Sequence, residues 1–367
     1  MTREEKIDWL IQYLKKENAG YAAIQEPVNL VEKRRLLRSL MNVRWPMEAS
    51  DKFYEIQDAL LKEELAEKGI VDADSLSTVA EQYPEAELRN PDRICLWQGD
   101  ITRIRADAIV NAANSEMLGC FVPCHGCIDN AIHSAAGIQL RNECAELMEA
   151  QGREEPVGKA KITGGYNLPA KHVIHTVGPI VGMQVTRQQE EELRSCYLNC
   201  LRLAEKNQLS SIAFCCISTG VFMFPNKRAA EIAVETVKKY KEEKNSSIKV
   251  IFNVFKDEDA VIYHRLLKSV NVLFKSIRPA RKITFERFLS GMPARDYVFQ
   301  STSYDEQIKQ AAEMIREAEY CLIGAGAGLS AAAGAKYGGK FVEDNFGDFQ
   351  KKYGKGTYMK ETYSVGF

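Results

Sequence analysis

The sequence predicts an α/β protein in which helices cover the faces of a sheet, with a helical segment ahead of it. From about residue 93, short apolar runs alternate with longer amphipathic ones, which is the pattern of strands and covering helices. Residues 1–70 instead carry apolar side chains at helical spacing. The chain has 367 residues, more than one typical core accommodates, so we expect more than one folded region.

The first region, residues 1–72, is predicted to be a helical N-terminal extension. Its first helix is indicated by apolar residues at helical spacing, namely Ile7, Leu10, Ile11 and Leu14. A second helix is expected to begin just after Pro27, and a third to end at Gly69, because proline suits a first helical turn and glycine a helix end. The charge pattern favours a packing or docking extension without chemistry of its own.

Five apolar runs predict strands, and four amphipathic runs between and after them predict helices. The strand candidates are RICLWQ, ADAIVNAAN, HVIHTVG, SIAFCCIS and KVIFNVF. The helix candidates lie near residues 128–149, 189–207, 226–243 and 258–275. Ligands bind at the carboxyl ends of strands in such sheets, so a site is expected first in the loops after ADAIVNAAN and SIAFCCIS.

Composition argues against several classes of protein. The 49 basic and 50 acidic residues leave a net charge of -1, which does not favour a nucleic-acid partner. No window reaches the roughly 18 to 20 apolar residues of a membrane helix, and the start lacks the apolar core of a secretory signal. We therefore expect a cytoplasmic protein without a membrane partner, whose ten cysteines are free thiols or metal ligands.

Three polar features follow predicted strands. Asp100 can accept a hydrogen bond from an exocyclic amine. Asn111 and Asn114 can bind sugar hydroxyls, although capping of a turn is the common alternative for such amides. The turn 218–220 precedes a helix, and its backbone amides suit a pyrophosphate.

The stretch GCFVPCHGC, residues 119–127, carries Cys120, Cys124, His125 and Cys127. Four ligands this close together can hardly surround one tetrahedral ion, whereas three would leave a coordination position open, as in catalytic zinc sites. The spacing alone leaves three readings open: a zinc site, a thiol redox pair, or a loop without a ligand.

Together these motifs resemble a known family. QGDIT, ADAIVNAAN, IDNAIHSAAG, KITGGYNLPAKHVIHTVGP and ISTGVFMFP resemble, in order, the motifs of a macrodomain, and the resemblance covers residues 73–276. It implies a three-layer α/β/α fold with a mixed central sheet that binds ADP-ribose. GCFVPCHGCIDNAIH is similar to the zinc-dependent macrodomains, whose pattern Cys-x4-His-x-Cys implies one zinc ion held by Cys120, His125 and Cys127. Cys124 falls on a variable position of that pattern and is left out.

The resemblance also implies roles for other residues. Asp100, with the backbone of Ile101, would bind the adenine amine. Asn114 would contact the distal ribose as a catalytic residue, and Asn111 would shape its pocket. Asp129 aligns with the acidic residue near the scissile bond and would be the second catalytic residue.

The pyrophosphate would lie on one turn, formed by Ser218, Thr219, Gly220, Val221 and Phe222. Phe222 would close over the distal ribose, while Met223 departs from the family pattern, which often has glycine there. His133 and His175 are expected to be structural, with His133 hydrogen-bonded in the core.

The activity that the resemblance implies is zinc-dependent removal of mono-ADP-ribose from modified protein side chains, a glycosidase-type hydrolysis. Zinc would activate a water or a ribose hydroxyl at the distal ribose. The alternative is a non-catalytic reader of ADP-ribose or a related NAD metabolite. A redox-sensing scaffold that loses zinc on oxidation is compatible with either.

The carboxyl-terminal part is predicted to contain a linker, residues 277–300, and a truncated NAD-binding fragment, residues 301–367. There LIGAGAGLSAAAG resembles the first NAD-binding loop of sirtuins, and the remainder resembles class M sirtuins. Because only the opening of that domain is present, sirtuin activity is not expected. The association implies a protein substrate modified by a partner class M sirtuin, such as a lipoylated carrier protein.

Overall fold

A mixed six-stranded sheet forms the centre of the region behind the N-terminal helices. The computed structural model describes residues 1–84, 90–182 and 184–268. The strands are β1 (Val71–Asp72), β2 (Ile94–Gln98), β3 (Ile104–Arg105), β4 (Ala108–Ala113), β5 (Ala160–Gly164), β6 (His172–Val177), β7 (Ser211–Phe214) and β8 (Lys249–Val254). The sheet has the order β2-β8-β7-β4-β6-β5; β5 is antiparallel to β6 and the other pairs are parallel. β1 and β3 form a separate parallel pair.

The helices surround this sheet and precede it. They are α1 (Arg3–Glu17), α2 (Leu30–Val43), α3 (Asp51–Lys68), α4 (Val79–Gln82), α5 (Ile128–Ala136), α6 (Ile138–Gln151), α7 (Arg187–Lys206), α8 (Asn226–Lys244) and α9 (Asp257–Lys268). The prediction of an α/β fold with a mixed central sheet and N-terminal helices is confirmed.

The alternation of side chains along β6 shows which helices cover each face of the sheet. The Nε2 atom of His175 lies 3.7 Å from the Sγ atom of Cys144 on α6. The hydroxyl of the next residue, Thr176, interacts with Cys196 on α7. Consecutive side chains of a strand point to opposite faces, so α6 and α7 cover different faces and the sheet is the middle layer of three.

Local sequence explains where several helices begin and end. α3 ends as predicted at Gly69, whose φ of 75° suits glycine. α2 begins three residues after Pro27, because the Asn29 side chain accepts a hydrogen bond from the Val31 amide at 2.8 Å and caps the helix there. The run near residues 128–149 was predicted as one helix, which is wrong: Gly137, with a φ of 97°, separates α5 from α6.

The N-terminal extension has a core of its own that reaches α6. Ile7, Leu10, Leu37 and Phe53 are buried in it together with Ile138 of α6. The buried Gln57 side chain on α3 accepts a hydrogen bond from the Ile138 amide at 2.9 Å. The extension is therefore packed against the α/β region through apolar and polar contacts.

The predictions for residues 277–300 and 301–367 lie outside the described residues. In the part of the chain that the structure describes, no helix combines the length and apolar character needed to span a membrane.

Candidate functional site

The predicted site residues lie along one edge of the sheet. Asp100 follows β2, the turn 216–224 follows β7, and Asn114 with the cysteine-rich loop follows β4. These strands are parallel, so their carboxyl ends meet at the same edge. With neighbouring strands roughly 4.8 Å apart, the edge from β2 to β4 spans about 14 Å. The sheet thus brings the motifs into one elongated site.

One end of this site combines a carboxylate with an exposed aromatic ring. The Oδ1 atom of Asp100 accepts hydrogen bonds from the amide and hydroxyl of Thr102, at 3.0 and 2.7 Å. Phe255 follows β8 and is 74% exposed. The amide of Gly99 donates to the carbonyl of Val254 at 2.9 Å, so the backbone segments that carry Asp100 and Phe255 are neighbours. An exposed ring beside a hydrogen-bond acceptor suits a flat base with an amino group.

The turn after β7 is held in a strained conformation. Ser218 and Met223 have φ angles of 65° and 55°, in the left-handed region that glycine adopts freely. The Val181 amide donates to the carbonyl of Phe222 at 2.9 Å and ties this turn to the loop after β6. Gly220 is exposed, and a Cβ atom added there would meet nothing within 4 Å. The tip of the turn is therefore open to a ligand.

The two asparagines of the IVNAAN motif have different surroundings. Asn114 is half-buried; its Oδ1 atom accepts from the Met117 amide at 2.9 Å and its Nδ2 atom donates to the Gly119 carbonyl at 3.3 Å. Both polar atoms of the Asn114 side chain therefore stabilise the turn after β4, which is the capping role considered as the alternative to sugar binding. Asn111 is fully buried, and its amide donates to Asp129 at 2.7 Å.

The loop after β4 brings three of its four candidate metal ligands together. The ligand atoms of Cys120, His125 and Cys127 all lie within 4.8 Å of one another, and the Sγ atom of Cys120 is 3.5 Å from the Nδ1 atom of His125. A sulfur and a nitrogen on one tetrahedral zinc ion lie about 3.6 Å apart. The donor set therefore fits a zinc ion without rearrangement of that pair.

The fourth candidate, Cys124, is turned towards α2. Its Sγ atom lies 3.2 Å from the hydroxyl of Ser39 and 3.5 Å from the carbonyl of Arg35. Cys127 instead caps α5, accepting a hydrogen bond from the Asn130 amide at 3.4 Å. Burial raises the pKa of the Cys127 thiol to about 11, although a coordinated metal deprotonates such a thiol.

Asp129 directly follows this loop, in the first turn of α5. Its side chain is almost covered, at 5% exposure, and burial raises its pKa to about 6 against the effect of the Asn111 hydrogen bond. Its Oδ1 atom is 3.5 Å from the Nε2 atom of His133.

The two histidines below Asp129 are buried, as expected for structural residues. Neither ring nitrogen of His133 makes a hydrogen bond among the described residues, so the predicted core hydrogen bond is wrong. His175 contacts the Thr163 hydroxyl at 2.9 Å and Asn111 at 3.2 Å. Burial lowers the pKa of His175 to about 3, so it is neutral at physiological pH.

Two groups at this site have no counterpart in the sequence predictions. Phe255 ends the apolar run KVIFNVF. Its position at the carboxyl end of that predicted strand is the feature that could have identified it as a site residue. Asn42 belongs to the extension, and its Oδ1 atom accepts a hydrogen bond from the Cys124 amide at 2.9 Å. No local pattern marks that long-range contact.

The chain is similar to several known proteins. A family profile described as the macro domain matches residues 110–233. A protein-ADP-ribose hydrolase of Treponema medium is 50% identical over 267 residues, which cover 73% of this chain and 100% of that relative. A protein-ADP-ribose hydrolase of Staphylococcus aureus (strain MRSA252) is 46% identical over 263 residues, covering 71% and 95%. Among solved structures, the Oceanobacillus iheyensis macrodomain with ADP has 39% identity and a TM-score of 0.45, covering 50% of this chain and 95% of that one.

Proposed function

This chain belongs to the macrodomain family of protein-ADP-ribose hydrolases, and from that premise we propose that it removes mono-ADP-ribose from modified protein side chains with the help of one zinc ion. The observation that carries the proposal is the convergence of Cys120, His125 and Cys127 at one end of a site with a base-binding pair at the other. A reader of ADP-ribose needs no open metal position beside the distal sugar.

ADP-ribose would lie along the carboxyl edge of the sheet. Asp100 would accept a hydrogen bond from the adenine amine, with the Ile101 backbone beside it and the Phe255 ring against the base. The open turn 218–222 would hold the pyrophosphate through its backbone amides. The distal ribose then reaches Asn114 and the cysteine-rich loop, where the bond to the protein would be cleaved.

The three ligands at that end would leave zinc one open position. A zinc ion there would supply Lewis acidity to an oxygen at the distal ribose. The thiolates of Cys120 and Cys127 would offset its charge, and the helix N-terminus at Cys127 stabilises negative charge on that sulfur.

The protein itself would orient the reacting groups and handle the proton. The Asn111 amide donates a hydrogen bond to the Asp129 carboxylate at 2.7 Å and fixes its orientation. Asp129 lies two residues after Cys127, the last proposed metal ligand. Asp129 would orient the attacking water and accept its proton. Asn114 would hold the start of the loop in place beside the distal ribose through its hydrogen bonds with Met117 and Gly119.

The decisive test is incubation of the full chain with a mono-ADP-ribosylated protein, with and without a strong zinc chelator, while released ADP-ribose is measured. We expect release that the chelator suppresses and that added zinc restores. Tight binding of ADP-ribose without release would identify a non-catalytic reader instead. A lipoylated carrier protein modified by a class M sirtuin is the first substrate to use.

A Phe255→Ala variant is expected to bind ADP-ribose about 5- to 150-fold more weakly, because stacking of an aromatic ring on a base contributes about 1–3 kcal/mol. Calorimetric titration with ADP-ribose measures the change. Affinity for ribose 5-phosphate, which lacks the base, should not respond to this substitution. An unchanged ADP-ribose affinity would place the base elsewhere.

A further inference from the structure

We propose that the N-terminal extension is part of the metal site: Asn42 and Arg38 on α2 are positioning residues that hold the loop of residues 120–127 in its metal-binding shape. The inference rests on the proposed binding of zinc by Cys120, His125 and Cys127. It assigns a role to the extension, which its sequence pattern alone presented as a packing element.

The first contact is a buried amide at the end of α2. Asn42 is 2% exposed, and its Oδ1 atom accepts a hydrogen bond from the backbone amide of Cys124 at 2.9 Å. Its Nδ2 atom donates to the hydroxyl of Ser134 on α5 at 3.0 Å. Both polar atoms of this side chain are therefore engaged, and the middle of the metal loop is fixed between two helices.

The hydrogen bond between Asn42 and the Cys124 amide stabilises an unusual backbone conformation at Cys124. Cys124 adopts a φ of 52°, in the left-handed region that is uncommon for residues other than glycine. The turn at Cys124 directs the chain back so that His125 and Cys127 approach Cys120. A hydrogen bond to the Cys124 amide helps to hold this strained turn.

The second contact passes through another buried amide. Asn130 on α5 is fully buried, and its Nδ2 atom donates to the carbonyls of Val122 and Cys120, at 3.0 and 3.4 Å. Arg38 donates from Nη2 to the Asn130 Oδ1 atom at 2.7 Å. Arg38 therefore fixes the orientation of the amide that holds the chain at the first metal ligand.

A buried arginine keeps the end of α2 in place for both contacts. Arg141 on α6 is 5% exposed, and its Nη1 atom donates to the carbonyls of Asn42 and Arg44 at 2.8 and 2.7 Å. Its Nε atom donates to the carbonyl of Leu118 at 2.7 Å, two residues before Cys120. The end of α2 and the start of the metal loop thus share one anchor.

Groups that orient metal ligands without touching the metal commonly change its affinity 10- to 100-fold when they are removed. Asn42→Ala and Arg38→Met are therefore expected to weaken zinc binding by about 10-fold or more. The affinity is measured on the full chain by competition with a chromophoric chelator. Affinity of the Asn42→Ala variant for ADP-ribose in excess chelator should stay within about twofold, because Asn42, unlike Arg38, does not line the cavity that contains Asp100.

Arg35→Met is the matched control for Arg38→Met. Arg35 lies one turn earlier on the same helix and is exposed, so its loss should leave zinc affinity unchanged. Folded Asn42→Ala and Arg38→Met proteins with wild-type zinc affinity would overturn the proposal; should Asn42→Ala not fold, the half-buried Arg38 decides it. A wild-type chain that binds no zinc would instead refute the metal-dependent function.

Discussion

A Cys120→Ser variant is expected to lose its bound zinc and at least about 100-fold of its hydrolytic rate. The hydroxyl of serine is a poor ligand for zinc, and only the side chains of His125 and Cys127 would remain. Metal content per chain and release of ADP-ribose from a modified protein measure the two losses. Affinity for free ADP-ribose is expected to change little, because the base and pyrophosphate positions lie towards the other end of the site.

Cys124→Ser is the control in the same loop. The Cys124 thiol contacts the hydroxyl of Ser39 and the carbonyl of Arg35 rather than the three proposed ligands, and the substitution keeps the backbone amide that Asn42 binds. We expect it to retain zinc and most of the activity. Equal losses in both variants would show that Cys124 is a ligand and that the assignment of three ligands is wrong.

An Asp129→Asn variant is expected to lose about 100-fold or more in turnover, which is the usual contribution of a positioned proton acceptor. Asparagine has nearly the same shape and still offers an oxygen to the Asn111 amide, so the fold and the metal should be retained. Single-turnover release of ADP-ribose, together with zinc content and the thermal midpoint, separates a chemical defect from a structural one.

The matched control for Asp129 is Glu116→Gln, which neutralises an exposed carboxylate in the loop that precedes α5. Its turnover is expected to remain near the wild-type value. If Asp129→Asn keeps full turnover, the carboxylate has no part in the chemistry, and its burial beside Asn111 and His133 is purely structural.

Much of the fold was predictable because its signals are local. The five predicted strands follow from apolar runs, and the C-terminal end of α3 follows from Gly69. The edge strand β5 was not predicted, because AKITG is short and its residues are mostly half-buried, so it lacks a long apolar run. The division of α5 from α6 required the backbone angle of Gly137, which the amphipathic pattern does not reveal.

The candidate site was predictable where one loop supplies all the groups. Cys120, His125 and Cys127 lie within eight residues, and their ligand atoms lie within 4.8 Å of one another. The spacing alone left other readings of this loop open, and the choice of these three residues came from the family resemblance. The contact of Asn42 with that loop and the contact of Arg38 with Asn130 on α5 join residues more than 80 positions apart. Only the packing of the extension onto α6 creates them, so no motif in either segment could indicate them.

The position of β2 in the sheet has a consequence for the order in which the protein takes shape during synthesis. Its sheet neighbour, β8, is made about 150 residues later, whereas α1, α2 and α3 can associate through contacts close in the chain. Pairings between distant segments form late, because the intervening chain must first be closed into a loop. Asp100 and Phe255 follow these two strands, so the end of the site that we propose to bind adenine is completed only after the ribosome has made the last strand of the sheet.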